Sequence, residues 1–237
     1  MKVVVFGATG MVGRGVLREC LVDPRVSTVV TIVRRSTGAS DPKLVELVTP
    51  QVGAVDGFEA PLRGLDACFF CLGVSSVGKT EAEYTRTTYD LTMSVATSLA
   101  RWNSGTMTFV YVSGAGTDSS ERGSSMWARV KGRTENALGR LPFRAVYFFR
   151  PGIIQPRHGI RSNSAGVRIV YAILWPFLPL LLWAAPGVTT TTDRVGRAMI
   201  ALAPGLEPGP VIDSRAINRL GRPAPPASHR PATTRPS

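Results

Sequence analysis

The sequence predicts an α/β protein, a Rossmann-like doubly wound parallel sheet with a small C-terminal substrate-side extension. Three observations carry this expectation. Short β-branched runs alternate with longer amphipathic segments through the first 150 or so residues, the pattern of repeated β-α units. A G-x-x-G-x-x-G turn, Gly7-Ala8-Thr9-Gly10-Met11-Val12-Gly13, follows the first run directly. With 237 residues, 44% of them hydrophobic, the chain can build one substantial core.

Each element follows from its own pattern. Residues 3–6 are an apolar run closed by Gly7, and residues 11–22 carry apolar side chains at helical spacing until Asp23-Pro24 stops them. Residues 27–33 form a second β-branched strand, 52–55 a weaker third and 67–72 a fourth. A long helix runs from about residue 80 to 101, followed by a strand at 107–113, a helix at 124–140 and a strand at 143–149. Right-handed crossovers then give a parallel sheet. Beyond Pro151 come an uncharged stretch of 17 residues at 169–185, interrupted by Pro176 and Pro179, an amphipathic helix at 189–203, a short strand at 210–212 and a last helical turn at 215–220. One domain is expected over 1–221, with a substrate-side lid at about 156–192. The Pro- and Arg-rich tail 222–237 has too little apolar content to bury a core and is expected to be disordered.

Composition excludes several classes. Three cysteines cannot form a closed disulfide set, and Met1-Lys2 leads straight into a strand pattern with no secretory segment. A reducing cytoplasm is the expected compartment. The net charge is +12, but the 24 arginines and 4 lysines are scattered and no groove-reading motif accompanies them. Nucleic acid is therefore not the expected partner. Cys68 and Cys71 have C-x-x-C spacing, yet residues three apart in a strand point to opposite faces. His158 and His229 offer no metal-ligand spacing. The segment 169–185 suits a lid, an apolar pocket wall or an oligomer contact, with peripheral membrane contact as the alternative.

The glycine turn is the chemical signal. Glycines between a strand and a helix let the chain turn tightly and let backbone N–H groups approach a pyrophosphate at the helix N-terminus. The second strand ends Val33-Arg34-Arg35-Ser36. With bases and no acid there, NADP is favoured over NAD.

These residues resemble the short-chain dehydrogenase/reductase superfamily in its atypical branch. The glycine turn, Arg34-Arg35, Cys71-Leu72-Gly73, Val112-Ser113-Gly114 and Arg150-Pro151-Gly152 occur in the order of that branch's cofactor and active-site loops. The likeness is greatest to Tat-interacting-protein-like NAD(P)-binding proteins and bacterial relatives labelled epimerase, and covers residues 1 to about 215. It implies that Gly7, Thr9, Gly10, Met11, Val12 and Gly13 cradle the pyrophosphate, with Arg34 and Arg35 at the 2′-phosphate. It also implies Asp56 near the adenine, Leu72 and Gly73 along the adenosine, and Pro151, Gly152 and Ile153 beside the nicotinamide. Ser113 matches the active-site serine, and Lys131 the lysine that binds the nicotinamide ribose.

One departure matters. The family's Tyr-x-x-x-Lys reads Trp127-Ala128-Arg129-Val130-Lys131 here, and an indole is no acid at neutral pH. Tyr111, Tyr84 and Tyr89 are candidate replacements, as is water held by Ser113, while Glu135 is placed to pair with Lys131. The expectation is an NADP-dependent oxidoreductase or epimerase-like enzyme on an unidentified carbonyl or alcohol. The alternative is a non-catalytic NADP(H)-sensing protein that signals to a partner protein.

Overall fold

A computed structural model describes residues 1–160, 187–207 and 209–223. The stretch 169–185, most of the expected lid 156–192 and the tail beyond residue 223 lie outside the described residues. The strands are β1 (Lys2–Phe6), β2 (Thr28–Val33), β3 (Leu44–Val48), β4 (Ala67–Phe70), β5 (Thr108–Val112), β6 (Ala145–Arg150), β7 (Ile153–Gln155), β8 (Thr189–Thr191) and β9 (Val211–Asp213). The helices are α1 (Met11–Val22), α2 (Glu59–Leu62), α3 (Glu81–Thr85), α4 (Leu91–Trp102), α5 (Met126–Leu138), α6 (Thr192–Leu202) and α7 (Ser214–Leu220).

Seven strands pair in parallel in the order β3-β2-β1-β4-β5-β6-β9, the doubly wound Rossmann-like arrangement the sequence predicts. Period-two alternation splits the core. Val3 and Val5 of β1 pack on one face with Val16 and Leu17 of α1 and Val195 and Met199 of α6. Val4 and Phe6 turn to the other face, against Val95 and Leu99 of α4 and Leu138 of α5. Both faces are covered, which is why these strands read as nearly unbroken apolar runs. Phe70 stacks between Phe6 and Phe109, with ring centroids 5.3 and 5.8 Å away. Each such buried ring stabilises the fold by about 1.5–3 kcal/mol. Cys68 of β4 and Cys71, one residue beyond its end, pack against opposite cores.

Three expected elements differ. The third strand is Leu44–Val48, not 52–55. Its register with β2, Val29 opposite Leu44 through Val33 opposite Val48, uses the available sheet edge. Being an edge strand, it leaves Val45 and Val48 exposed and carries Glu46 in mid-run, which masks the pattern. The long helix at 80–101 contains a π turn at Arg86–Asp90 between α3 and α4. Around that turn the Thr87 hydroxyl donates to the Glu83 carbonyl at 3.0 Å, and the Thr92 hydroxyl to that of Thr88, the back-bonding that bends helices. Residues 189–191 form β8 rather than a first helical turn, because three β-branched threonines pair with the unforeseen β7. Thr191 then caps α6 by accepting from the Arg194 N–H.

Candidate functional site

β1 ends at Phe6, and Gly7 turns the chain with φ of 78°. A Cβ on Gly7 would lie 2.7 Å from the Cys71 carbonyl oxygen, so the turn runs hard against the end of β4. A Cβ on Gly13 would lie 2.0 Å from the Gly7 carbonyl oxygen. Only hydrogen fits at either place. Gly10 is the N-cap of α1 and no side chain caps that helix. The N-terminal turn Met11, Val12 and Gly13 therefore presents backbone to the ends of β1 and β4, where the strand order reverses.

Beside this turn is a cleft of about 560 Å³. Of the residues expected at the cofactor, Gly7, Thr9, Arg34, Leu72 and Gly73 line it, while Gly10, Met11, Val12 and Gly13 are not among its lining residues. Ile32, Val33 and Val74 line it as well, and so do walls that the sequence does not foretell: Pro50 to Ala54 from the loop after β3, and Thr87, Leu91 and Ser94 from the π turn and α4. Ser94 donates to the Gly53 carbonyl at 3.2 Å and ties these walls together. The valines at 52 and 55 read as a strand, whereas Pro50 and Gly53 beside them are the residues of a loop. Arg35 is exposed and Asp56 lies outside the cleft lining. The Asp56 carboxylate accepts from Ser98 and Arg101, both at 2.8 Å. Glu46 of β3 reaches the loop that follows β2. Its two oxygens accept from Ser36 and from the backbone and hydroxyl of Thr37, which fastens the loop after Arg34-Arg35.

The second group of expected residues gathers where β5, β6 and α5 meet. The Ser113 hydroxyl donates to the Phe149 carbonyl at 3.1 Å, and Ala115 N–H donates to the Pro151 carbonyl at 2.8 Å, so the loops after β5 and β6 adjoin. Gly152 N–H donates to Ser214 and Ile153 begins β7. Lys131 is buried, donates to the Val112 carbonyl at 3.2 Å and lies over the Tyr111 ring, 5.2 Å from its centroid. Burial lowers its ammonium to about 8, with the Glu135 charge opposing the shift. Glu135 does not pair with Lys131 as expected. Arg150 takes both its oxygens instead.

Trp127 is half-buried, and its indole packs on the loop after β5, 3.5 Å from where a Cβ on Gly116 would stand. The proposed tyrosine replacements are placed differently. Tyr111 and Tyr84 are buried, and burial pushes both phenols above the ordinary tyrosine range. The Tyr111 hydroxyl sits inside the α4/α5 core beside Thr92 and Thr134. Tyr89 stacks on the Arg133 guanidinium at 4.4 Å. Among the described residues no cluster of His, Cys, Asp and Glu suits a metal, and no helix is long and apolar enough to cross a membrane.

No protein-family model matches the chain. A protein of Aspergillus terreus named fmp52-1, mitochondrial, is 30% identical over 170 residues, 69% of each chain. The chain belongs to the Fmp52 family. Another Fmp52 protein, fmp52-2, mitochondrial, of Aspergillus oryzae, is 27% identical over 232 residues, covering 92% of this chain and 96% of its own. These names overturn the expected cytoplasmic placement, because the Fmp52 relatives are called mitochondrial. The cytoplasmic expectation rests on the cysteine count, which does not separate the cytoplasm from a mitochondrial interior. Among solved structures, MoeE5 in complex with UDP-glucuronic acid and NAD superposes with a TM-score of 0.63 at 18% identity, over 89% of this chain and 75% of its own. That likeness establishes the fold of this Fmp52 chain.

Proposed function

We propose that the chain binds NADP(H) and is an oxidoreductase or epimerase-like enzyme acting on a carbonyl or alcohol, in a mitochondrial setting. The observation that carries this reading is the glycine turn at the strand-order reversal, where Gly7 and Gly13 admit no side chain and an uncapped helix start adjoins the cleft. Such a cradle suits a pyrophosphate. Arg34 in the cleft favours a 2′-phosphate, and the carboxylate of Glu46, engaged by Ser36 and Thr37, does not compete for the ribose.

Leu72 and Gly73 would flank the adenosine. Ser113 and Lys131, gathered at the end of β5, would hold the nicotinamide ribose and the substrate oxygen. When bound, the nicotinamide supplies or accepts a hydride. Trp127 would stand where a Tat-interacting-protein-like enzyme has its tyrosine, walling the pocket through its contact with the Gly116 loop. MoeE5 carries a sugar nucleotide in its solved complex, which makes sugar nucleotides one class to try beside ketones and quinones.

Fluorescence titration with NADPH and NADH tests the cofactor, and NADPH consumption with that panel tests turnover. NADH preferred over NADPH would sink the assignment of Arg34. The indole at position 127 favours one second reading, a non-catalytic NADP(H) sensor. Tight NADPH binding without oxidation by any compound of the panel supports that reading against the enzyme.

A further inference from the structure

We propose that Thr87 and Ser94 select the base of the bound nucleotide, accepting hydrogen bonds from an amine at the six-position of a purine and disfavouring a six-oxo purine. The inference rests on the reading that the chain binds NADP(H). It deepens that reading by naming the side chains that recognise the base.

The cleft beside the glycine turn has apolar walls in Val33, Val52, Leu72 and Leu91, which suit the faces of a flat ring. The acid that the resemblance puts at the adenine is elsewhere. Asp56 is not among the lining residues, and its carboxylate accepts from Ser98 and Arg101. Among the described residues no other acid lines the cleft either. Apart from Thr9 at the glycine turn and Arg34, the polar side chains of the lining are those of Gln51, Thr87 and Ser94. The amide of Gln51 can donate or accept, so it suits either kind of base.

The two hydroxyls are restricted. That of Thr87 donates to the Glu83 carbonyl at 3.0 Å, with the Tyr84 carbonyl at 3.2 Å as the other acceptor in reach. That of Ser94 donates at 3.2 Å to the carbonyl of Gly53, itself a lining residue. A hydroxyl has one proton and two lone pairs. With each proton committed to a backbone carbonyl, both oxygens keep only lone pairs for a ligand, and both residues are exposed. Turning the Ser94 proton to a ligand would release the loop after β3 from α4. Thr87 belongs to the π turn Arg86–Asp90, a helix irregularity of the kind that recurs at functional sites. Adenine carries an amine at the six-position and donates to such oxygens. A carbonyl at that position sets lone pairs against lone pairs.

Fluorescence titration compares NADPH with its reduced analogue in which hypoxanthine replaces adenine. The two share the nicotinamide, the pyrophosphate and the 2′-phosphate, so only the base differs. The wild-type chain should bind NADPH about tenfold or more tightly than the analogue. In the double variant Thr87→Val, Ser94→Ala that ratio should fall to within about threefold, with the loss on the NADPH side. A purely structural role for the Ser94 contact predicts something else: a loosened loop weakens both ligands alike and leaves the ratio unchanged. Should the double variant not fold, Thr87→Val alone, at an exposed position, is expected to lower the ratio. Equal wild-type affinities for the two dinucleotides overturn the proposal without any variant, and so does a wild-type ratio kept by the folded variants. Binding of neither dinucleotide by the wild-type chain overturns the cofactor reading instead, and the base assignment falls with it.

Discussion

Arg150, at the end of β6, holds the carboxylate of Glu135 on α5 with two of its nitrogens, one at 3.1 Å. The Glu135 side chain is 1% exposed and that of Arg150 19%. The carboxylate one turn along the helix from Lys131 is thus committed to a different partner. Removing the arginine leaves a buried charge uncompensated. Arg150→Met is expected to cost about 3–5 kcal/mol in urea unfolding, and adding Glu135→Met should recover most of it. A single-variant cost below about 1 kcal/mol would show that the pair behaves like a surface contact.

Lys131 makes stability depend on pH in a defined direction. Its folded-state value, about 8, lies below the ordinary 10.5, so between those values the unfolded chain binds more protons. Stability therefore rises with pH across that window, and the cost of the buried ammonium is full below pH 8. Lys131→Met should stabilise the protein by about 3 kcal/mol at pH 7, a gain that shrinks toward zero near pH 10.5. A gain independent of pH across the same range would refute the linkage.

Gly13→Ala places a methyl where the Gly7 carbonyl already stands, and backbone on both sides must move. The expected loss is about 1–3 kcal/mol of stability. NADPH affinity should fall by about tenfold or more, because the displaced turn is the cradle itself. Thermal melts and fluorescence titration on one preparation check both, and unaltered binding would detach the turn from the cofactor.

Arg34→Ala separates the two cofactors. Loss of a charge-assisted contact should weaken NADPH binding by about 10- to 100-fold, while NADH binding stays within about twofold. Equal losses for both would place Arg34 outside the 2′-phosphate contact.

Trp127→Tyr puts a phenol four residues before Lys131 on the same helix. A phenol there can donate a proton that the indole cannot, so NADPH oxidation with a carbonyl probe should rise by about tenfold or more over the wild type. Unchanged turnover, in a variant that still binds NADPH, would deny the phenol access to the substrate.

The strands β1, β2, β4, β5 and β6 and the glycine turn were legible in the chain because buried parallel strands are almost wholly apolar and because hydrogen alone fits between a strand end and a helix start. Local chemistry is enough for such features. The position of β3 was not legible, since an edge strand carries only half an apolar pattern and Glu46 interrupts it. The loop Gln51 to Ala54 and the helix residues Thr87, Leu91 and Ser94 become cleft walls only when the sheet sets them opposite Leu72 and Gly73. Trp127 and Lys131 were visible as a pair from their spacing alone. Which groups neighbour them was decided across the sheet: Arg150 takes Glu135, the α4/α5 core encloses Tyr111, and burial alters Lys131. Spacing along a helix says which side chains share a face, but charge and solvent access depend on what other elements bring to that face.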